Sequence, residues 1–422
     1  MKKGLAIWGG SSIYIPLLFE ALVQSECLDS FHLITLFGRD EKKLKYLVSL
    51  LSPLEHRYAV RINFSTTFEH SLSSDYDIIF NQIRFGGIEK RNLDEKIAIK
   101  NQLIADETLG IVGMSNAIRA ITGITPYFEM LSGKKNRYHL INFTNPCSII
   151  TQYAVASFGL NMIGVCDYPL GLKNAIANYM GIDQTKLTID YFGLNHIASV
   201  WDIYLDGKSI YADFVKHNQE TPFRPKAKDQ SLFPALMIPN WDIIFNPEII
   251  IGKQNKQSIN RAQLLVDIEH EFYKNMDNKR PSIFQVPPIL RKRSSDWYLL
   301  AVVPLIKNIL DSSGNHILNV SLKSDPFALG TKDTIVETNV SFAGGTFEIK
   351  DYSAKIGIDE RTYPHLRQLK KAELLLLQGI LAKDKDIIME AGVINPMIKA
   401  QNKIHSYFSE LKMSDELFRQ IF

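Results

Sequence analysis

The sequence predicts an α/β protein in which a Rossmann-like, doubly wound parallel sheet is followed by an α+β C-terminal unit. Three observations predict it. The first 160 residues alternate short apolar runs with helical stretches, and a glycine turn joins the first run to the first helix. Beyond residue 165 the pattern changes to amphipathic strands and long helices.

The elements follow in order. "GLAIWG" reads as a strand, "IPLLFEALVQ" as a helix, "FHLITLFG" as a second strand and "EKKLKYLVSLLSPL" as a second helix. "YDIIFNQI" and "YHLINFTNP" supply further strands. Apolar runs of four to eight residues alternating with helices imply βαβ units and a parallel sheet covered on both faces. After "NMIGVCDYP", the stretch "LTIDYFGLNHIASVWDIYLDG" resembles antiparallel strands, and "HILNVSL" and "TIVETNVSF" continue that pattern. "RAQLLVDIEHEFYKNM" and "HLRQLKKAELLLLQGILA" have helical periodicity. "KHNQETPFRPKAKDQ" is polar and proline-bearing, and is expected to be a loop.

Composition narrows the function. The 422 residues are 45% hydrophobic and 22% charged, with a formal charge of +3 and no basic block interleaved with aromatics, which excludes a nucleic-acid footprint. Gly9 and Gly10 break the N-terminal apolar run before a secretory segment forms, and no stretch reaches the roughly 18 apolar residues of a membrane span. Three widely spaced cysteines make no disulfide framework and fit a reducing compartment. The expectation is a cytoplasmic protein with a small-molecule partner, no nucleic acid and no membrane.

In "LAIWGGSSIYIPLLFEAL" a strand, a glycine turn and a helix follow one another. Such a turn brings backbone N–H groups to a pyrophosphate at a helix N-terminus. Gly9, Gly10, Ser11 and Ser12 are the candidate contacts, with Ser11 where a second glycine usually permits close approach. At the end of "LITLFGRD" an acidic residue would hold the ribose hydroxyls of NAD; Gly38 and Arg39 stand there instead, and an arginine suits the 2′-phosphate of NADP. Asp40 could substitute after a one-residue shift. Residues 1–165 are therefore read as a nicotinamide dinucleotide-binding domain, and 166–422 as an α+β domain for substrate and metal.

Five motifs follow in order: "NQIRFGGIEKRNLDEK", "ADETLGIVGMSNAIRAI", "INFTNP", "GVCDYP" and "YFGLNHIASVWD". Together they resemble glycoside hydrolase family 4, and within it the 6-phospho-glucosidase branch. The resemblance extends over nearly the whole chain through "NRAQLLVDIEHEFY", "KRSSDWY" and "TIVETNV". It implies hydrolysis of a 6-phospho-glucoside without net oxidation. Hydride leaves sugar C3 for NAD or NADP and later returns, a divalent metal polarises the C2 and C3 oxygens, and the C1–O bond breaks by elimination. This route is an exception to the two-carboxylate scheme.

On that resemblance Cys166 and His196 are the metal ligands, with manganese the expected ion. Asp167 is the acid that protonates the leaving oxygen. It sits where the family's α-type members carry an aspartate, although the overall resemblance favours the β-linkage. Asn145 matches a sugar-hydroxyl contact. Arg91 and Arg261 match substrate arginines, with Arg293 and Arg84 as further candidates, since arginine recognises phosphate in bidentate fashion. A dimer or tetramer is expected by analogy.

One motif departs from the family. Where its basic tyrosine is expected, this chain reads "MIPNWDIIFNP" and places Trp241. An indole nitrogen only donates, so it cannot act as a base. Asp242 or Tyr298 replaces it, or the C2 proton is not removed and the chain is a degenerate member that binds a phosphorylated sugar or nucleotide as a sensor. A hydroxy-acid dehydrogenase would share the fold without needing the Cys-His pair.

Overall fold

A computed structural model of the chain describes residues 2–134, 137–217, 236–274, 276, 280–293, 296–311, 316–324, 334–343, 346–349 and 362–422. The expected polar loop, from residue 218 onward, lies outside the described residues.

Strand β1 (Lys3–Trp8) sends Leu5 and Ile7 into one core and Ala6 and Trp8 into another, all four fully buried. Successive side chains on a strand face opposite ways, so a strand apolar on both sides has to be covered on both. Helices α1 (Ile15–Gln24), α2 (Glu41–Tyr58), α3 (Gly87–Lys100), α4 (Gly110–Ser132) and α5 (Cys147–Phe158) connect β1 to β2 (Phe31–Phe37), β3 (Arg61–Ser65), β4 (Ile78–Asn81), β5 (His139–Asn142) and β6 (Met162–Val165), with a 3₁₀ turn alone between β3 and β4 and both α3 and α4 between β4 and β5. The strands lie in the order β3-β2-β1-β4-β5-β6, every pair parallel. Strand order reverses between β1 and β4, and in such sheets the ligand crevice opens outside the strand ends at that reversal.

After α6 (Tyr168–Met180), strands β7 (Leu187–Leu194) and β8 (Ile197–Leu205) form an antiparallel hairpin closed by Asn195 and His196. With β9 (Lys208–Ser209), β10 (Leu236–Met237), β11 (His316–Ser324), β12 (Thr334–Ala343) and β13 (Thr346–Ile349) they make no separate layer. They extend the first sheet, because β11 pairs antiparallel with β6 through Val320 opposite Val165 and Ser321 opposite Gly164. The helices of the last 60 residues return to the N-terminal half. Leu376, Ile404, Tyr407 and Phe418 join the same core as Ala6 and Trp8. Arg119 of α4 pins that arrangement from a buried position, bonded to both oxygens of Asp94 at 2.5 and 2.7 Å and to Asp415 at 3.0 Å. Sheet and core thus both run across residue 165.

Candidate active site

The glycine turn sits at the C-terminal end of β1. The N–H groups of Gly9 and Gly10 both donate to the Phe37 carbonyl, at 3.0 and 2.7 Å, and Ser12 N–H donates to the Gly9 carbonyl at 3.1 Å. Gly9 has φ +85°, and a side chain there would meet the Gln82 carbonyl at 2.8 Å; one at Gly10 would meet Leu36 at 2.6 Å. Both glycines are therefore needed so that β1 can lie close to its neighbours. Gly9, Ser11 and Ser12 line a cavity of about 1010 Å³, whereas Gly10 packs against Leu36 and is not among the lining residues. Among the described residues the N–H groups of Ser11 and Ile13 meet no acceptor, which is what an anion at this turn requires. The residues present fit a dinucleotide.

The other end of the cavity lies at the end of β6. Cys166 Sγ and His196 Nε2 are 3.2 Å apart and both line the cavity. His196 holds φ +64° in the hairpin turn, a region that non-glycine residues rarely occupy and that clusters at functional sites. Its carbonyl accepts from Asn240 Nδ2 at 3.1 Å, and its ring lies 5.5 Å from that of Tyr168. Burial, then Glu337 and Asp167, pushes the Cys166 thiol well above its ordinary value. A thiol and an imidazole this close can share one ion, whose arrival would displace the thiol proton. Among the described residues no third His, Cys, Asp or Glu completes a cluster, so the remaining positions on such an ion are left for substrate or water. Asp167 stands beside the pair, with a carboxylate oxygen 3.9 Å from Cys166 Sγ.

Asn145 lines the cavity, held by Asn116, whose side chain donates to both the Asn145 and the Glu107 carbonyls at 3.0 Å. Arg261 enters at the first turn of the helix Arg261–Tyr273, which Asn260 caps by accepting from Gln263 N–H at 2.6 Å. Arg293 lies over the Trp297 ring at 4.7 Å, and Tyr14 meets that ring edge-on at 5.3 Å. Arg91 also borders the cavity, but it is buried and pairs with Glu95 and Glu107, each at 2.7 Å. It is committed to neighbouring carboxylates, whereas among the described residues Arg261 and Arg293 form no ion pair within 4 Å. Arg39 lies at the exposed edge of the cavity, after β2.

The two candidates for the missing base part company. Tyr298 lines the cavity and donates its hydroxyl proton to Gln82 Oε1 at 2.5 Å, and burial raises its affinity for that proton. Asp242 does not line the cavity. It is buried on a short helical turn and accepts from Asn246 Nδ2 at 2.7 Å, so the structure does not bring this candidate base together with the rest of the site. Trp241 is fully buried in the third core, its indole donating to the Ala198 carbonyl at 2.6 Å.

Two carboxylates escaped the sequence reading. Glu107 is paired with Arg84 and Arg91; although burial works against it, those guanidiniums hold its carboxyl well below the usual range. Glu337 is buried behind the hairpin, accepting from Asn195 Nδ2 at 2.9 Å and from Tyr191 Oη at 3.0 Å. Both lie in motifs quoted above, "ADETLG" and "TIVETNV", so their signal was present but their partners were not.

A sequence profile described as family 4 glycosyl hydrolase matches residues 4–182. The 6-phospho-beta-glucosidase BglT of Thermotoga maritima is 26% identical over 412 residues, covering 93% of this chain and 94% of that protein. A 6-phospho-alpha-glucosidase of Leptotrichia buccalis is 28% identical over 210 residues, 48% of this chain and 47% of that protein. In structure, the Thermotoga maritima 6-phospho-beta glucosidase with manganese, NAD+ and glucose-6-phosphate matches with a TM-score of 0.83 at 21% identity, over 99% of each chain. That match supports the fold.

Proposed function

We propose that the chain is a member of family 4 of the glycosyl hydrolases, as the profile match over residues 4–182 and the likeness to a 6-phospho-beta-glucosidase support, and that it hydrolyses a 6-phospho-glucoside with the help of a nicotinamide dinucleotide and a divalent ion, manganese by preference. The observation that carries this is the Cys166–His196 pair, 3.2 Å apart and lining the same cavity as the glycine turn. A plain dehydrogenase has no need of such a pair. The β-linkage is favoured by the near full-length likeness to a 6-phospho-beta-glucosidase, although an alpha-specific relative also matches and Asp167 fits it.

In this reading residues 1–165 hold the dinucleotide through the Ser11 and Ile13 N–H groups, and residues 166–422 supply the metal ligands. When bound, the dinucleotide would supply a reversible hydride acceptor and the ion a Lewis acid for the sugar's oxygens. Cys166 and His196 hold the ion. Asn145 orients a sugar hydroxyl, and Arg261 and Arg293 receive the 6-phosphate. Asp167 gives a proton to the leaving oxygen. Tyr298 is the residue proposed to take the C2 proton, because it alone of the two candidates lines the cavity; it does so as a tyrosinate, after its own hydroxyl proton has passed to solvent and the hydrogen bond to Gln82 has broken. Location in the cytoplasm and assembly as a dimer or tetramer belong to the same reading. No helix among the described residues is long and apolar enough to cross a membrane.

Burial of Trp241 favours a second reading, in which the chain binds a phosphorylated sugar without cleaving it. Hydrolysis of nitrophenyl α- and β-glucoside 6-phosphates, with manganese and with NAD or NADP added separately, tests both. Cleavage that needs metal and dinucleotide together supports the glycosidase and identifies the anomer. No cleavage of either substrate by folded, metal-loaded protein supports the binding role. Net build-up of reduced nicotinamide points to a dehydrogenase.

A further inference from the structure

We propose that this chain selects the dinucleotide bearing a 2′-phosphate, NADP, and that Arg39 receives that phosphate; the inference rests on the cavity being a nicotinamide-dinucleotide site. In a sheet of order β3-β2-β1-β4-β5-β6 the residue just after β2 faces the adenosine ribose, where a carboxylate accepts the 2′-hydroxyl of NAD and an arginine accommodates the added phosphate. Gly38, Arg39 and Asp40 all line the cavity at this place.

Neither of Arg39's neighbours supplies that carboxylate. Gly38 has no side chain, and its N–H donates to the Ser65 carbonyl at 3.2 Å. Asp40 is the N-cap of α2, one of its carboxylate oxygens accepting from Lys43 N–H at 3.0 Å, which commits that oxygen to the helix end. Glu269, also on the cavity wall, is neutralised by Lys43 at 2.8 Å. Arg39 itself is exposed and, among the described residues, forms no ion pair. Its guanidinium acts on the hydroxyl of Tyr127, as does Glu69, and the Tyr127 ring packs against Phe68 at 4.6 Å to form the cavity wall there. A guanidinium beside an aromatic wall, with Asp40 capping its helix and Glu269 paired to Lys43, suits a phosphate monoester and wastes its charge on a bare ribose.

The test is binding, so it needs no turnover. NADPH and NADH are titrated into the full-length protein and followed by nicotinamide fluorescence. The expected result is a Kd for NADPH at least about ten-fold lower than for NADH. Adenosine 2′,5′-bisphosphate should displace NADPH more strongly than ADP does, a comparison that needs no variant. Arg39→Ala should weaken NADPH binding by about ten-fold while leaving NADH binding unchanged, and Arg39→Asp should reverse the preference. Equal or tighter binding of NADH by the unaltered protein overturns the assignment of Arg39 but leaves the cavity reading standing. Binding of neither by folded protein overturns both.

Discussion

At Cys166 two roles compete, since a small buried thiol and a metal ligand look alike in sequence. The His196 nitrogen at 3.2 Å, on a turn residue held at φ +64°, favours the ligand role. Cys166→Ser is expected to weaken manganese binding by more than about ten-fold, measured by equilibrium dialysis; unchanged affinity would return Cys166 to the core. Tyr298 poses the matching question for the base. Tyr298→Phe should lower kcat by about 10²–10⁴-fold and abolish exchange of the sugar's C2 proton with deuterated solvent. Retained exchange would place the base elsewhere. Trp241 was legible as a failed base because its nitrogen can only donate. The seclusion of Asp242 was not legible, because the whole turn that carries Trp241 and Asp242 is buried away from the cavity, a placement set by distant residues.

The α2 helix separates a structural acid from a binding cation within two residues. Asp40 caps the helix, and the adjacent Arg39 faces the cavity. Asp40→Ala should cost about 1 kcal/mol in denaturant unfolding, the usual loss of an N-cap, without changing the ratio of NADPH to NADH affinity. A shift in that ratio would make Asp40 a ribose contact. The β7–β8 hairpin is a second such element. Its antiparallel pairing followed from its apolar alternation, but its place beside β12 did not.

Across the whole molecule, Glu107 ties the segment before α4 to Arg84, after β4, and to Arg91 in α3. A carboxyl held below its ordinary range contributes stability that is present above its unfolded pKa of about 4.3 and is lost as the pH falls through its folded value. Glu107→Gln should therefore cost on the order of 2 kcal/mol at neutral pH, less than a fully buried pair because Arg84 is partly exposed. The gap between variant and parent should close as the pH falls below about 4. A gap that ignores pH would show that Glu107 stabilises through packing alone.

The sequence by itself determined the βαβ alternation, the glycine turn, the antiparallel character of the later strands and the identity of the two metal-ligand candidates. Each of these is written in residues close together in the chain, as a periodicity or a motif. Only the tertiary structure decided that β11 would join β6 and carry one sheet past residue 165. It also decided that the last helices would cover the face of β1 bearing Ala6 and Trp8. The same holds for the commitment of Arg91 to Glu95 and Glu107 while Arg39 forms no ion pair among the described residues, and for the seclusion of Asp242. An apolar face shows that something covers it but not which element does so. A charged side chain does not reveal its partner until the fold brings distant residues together.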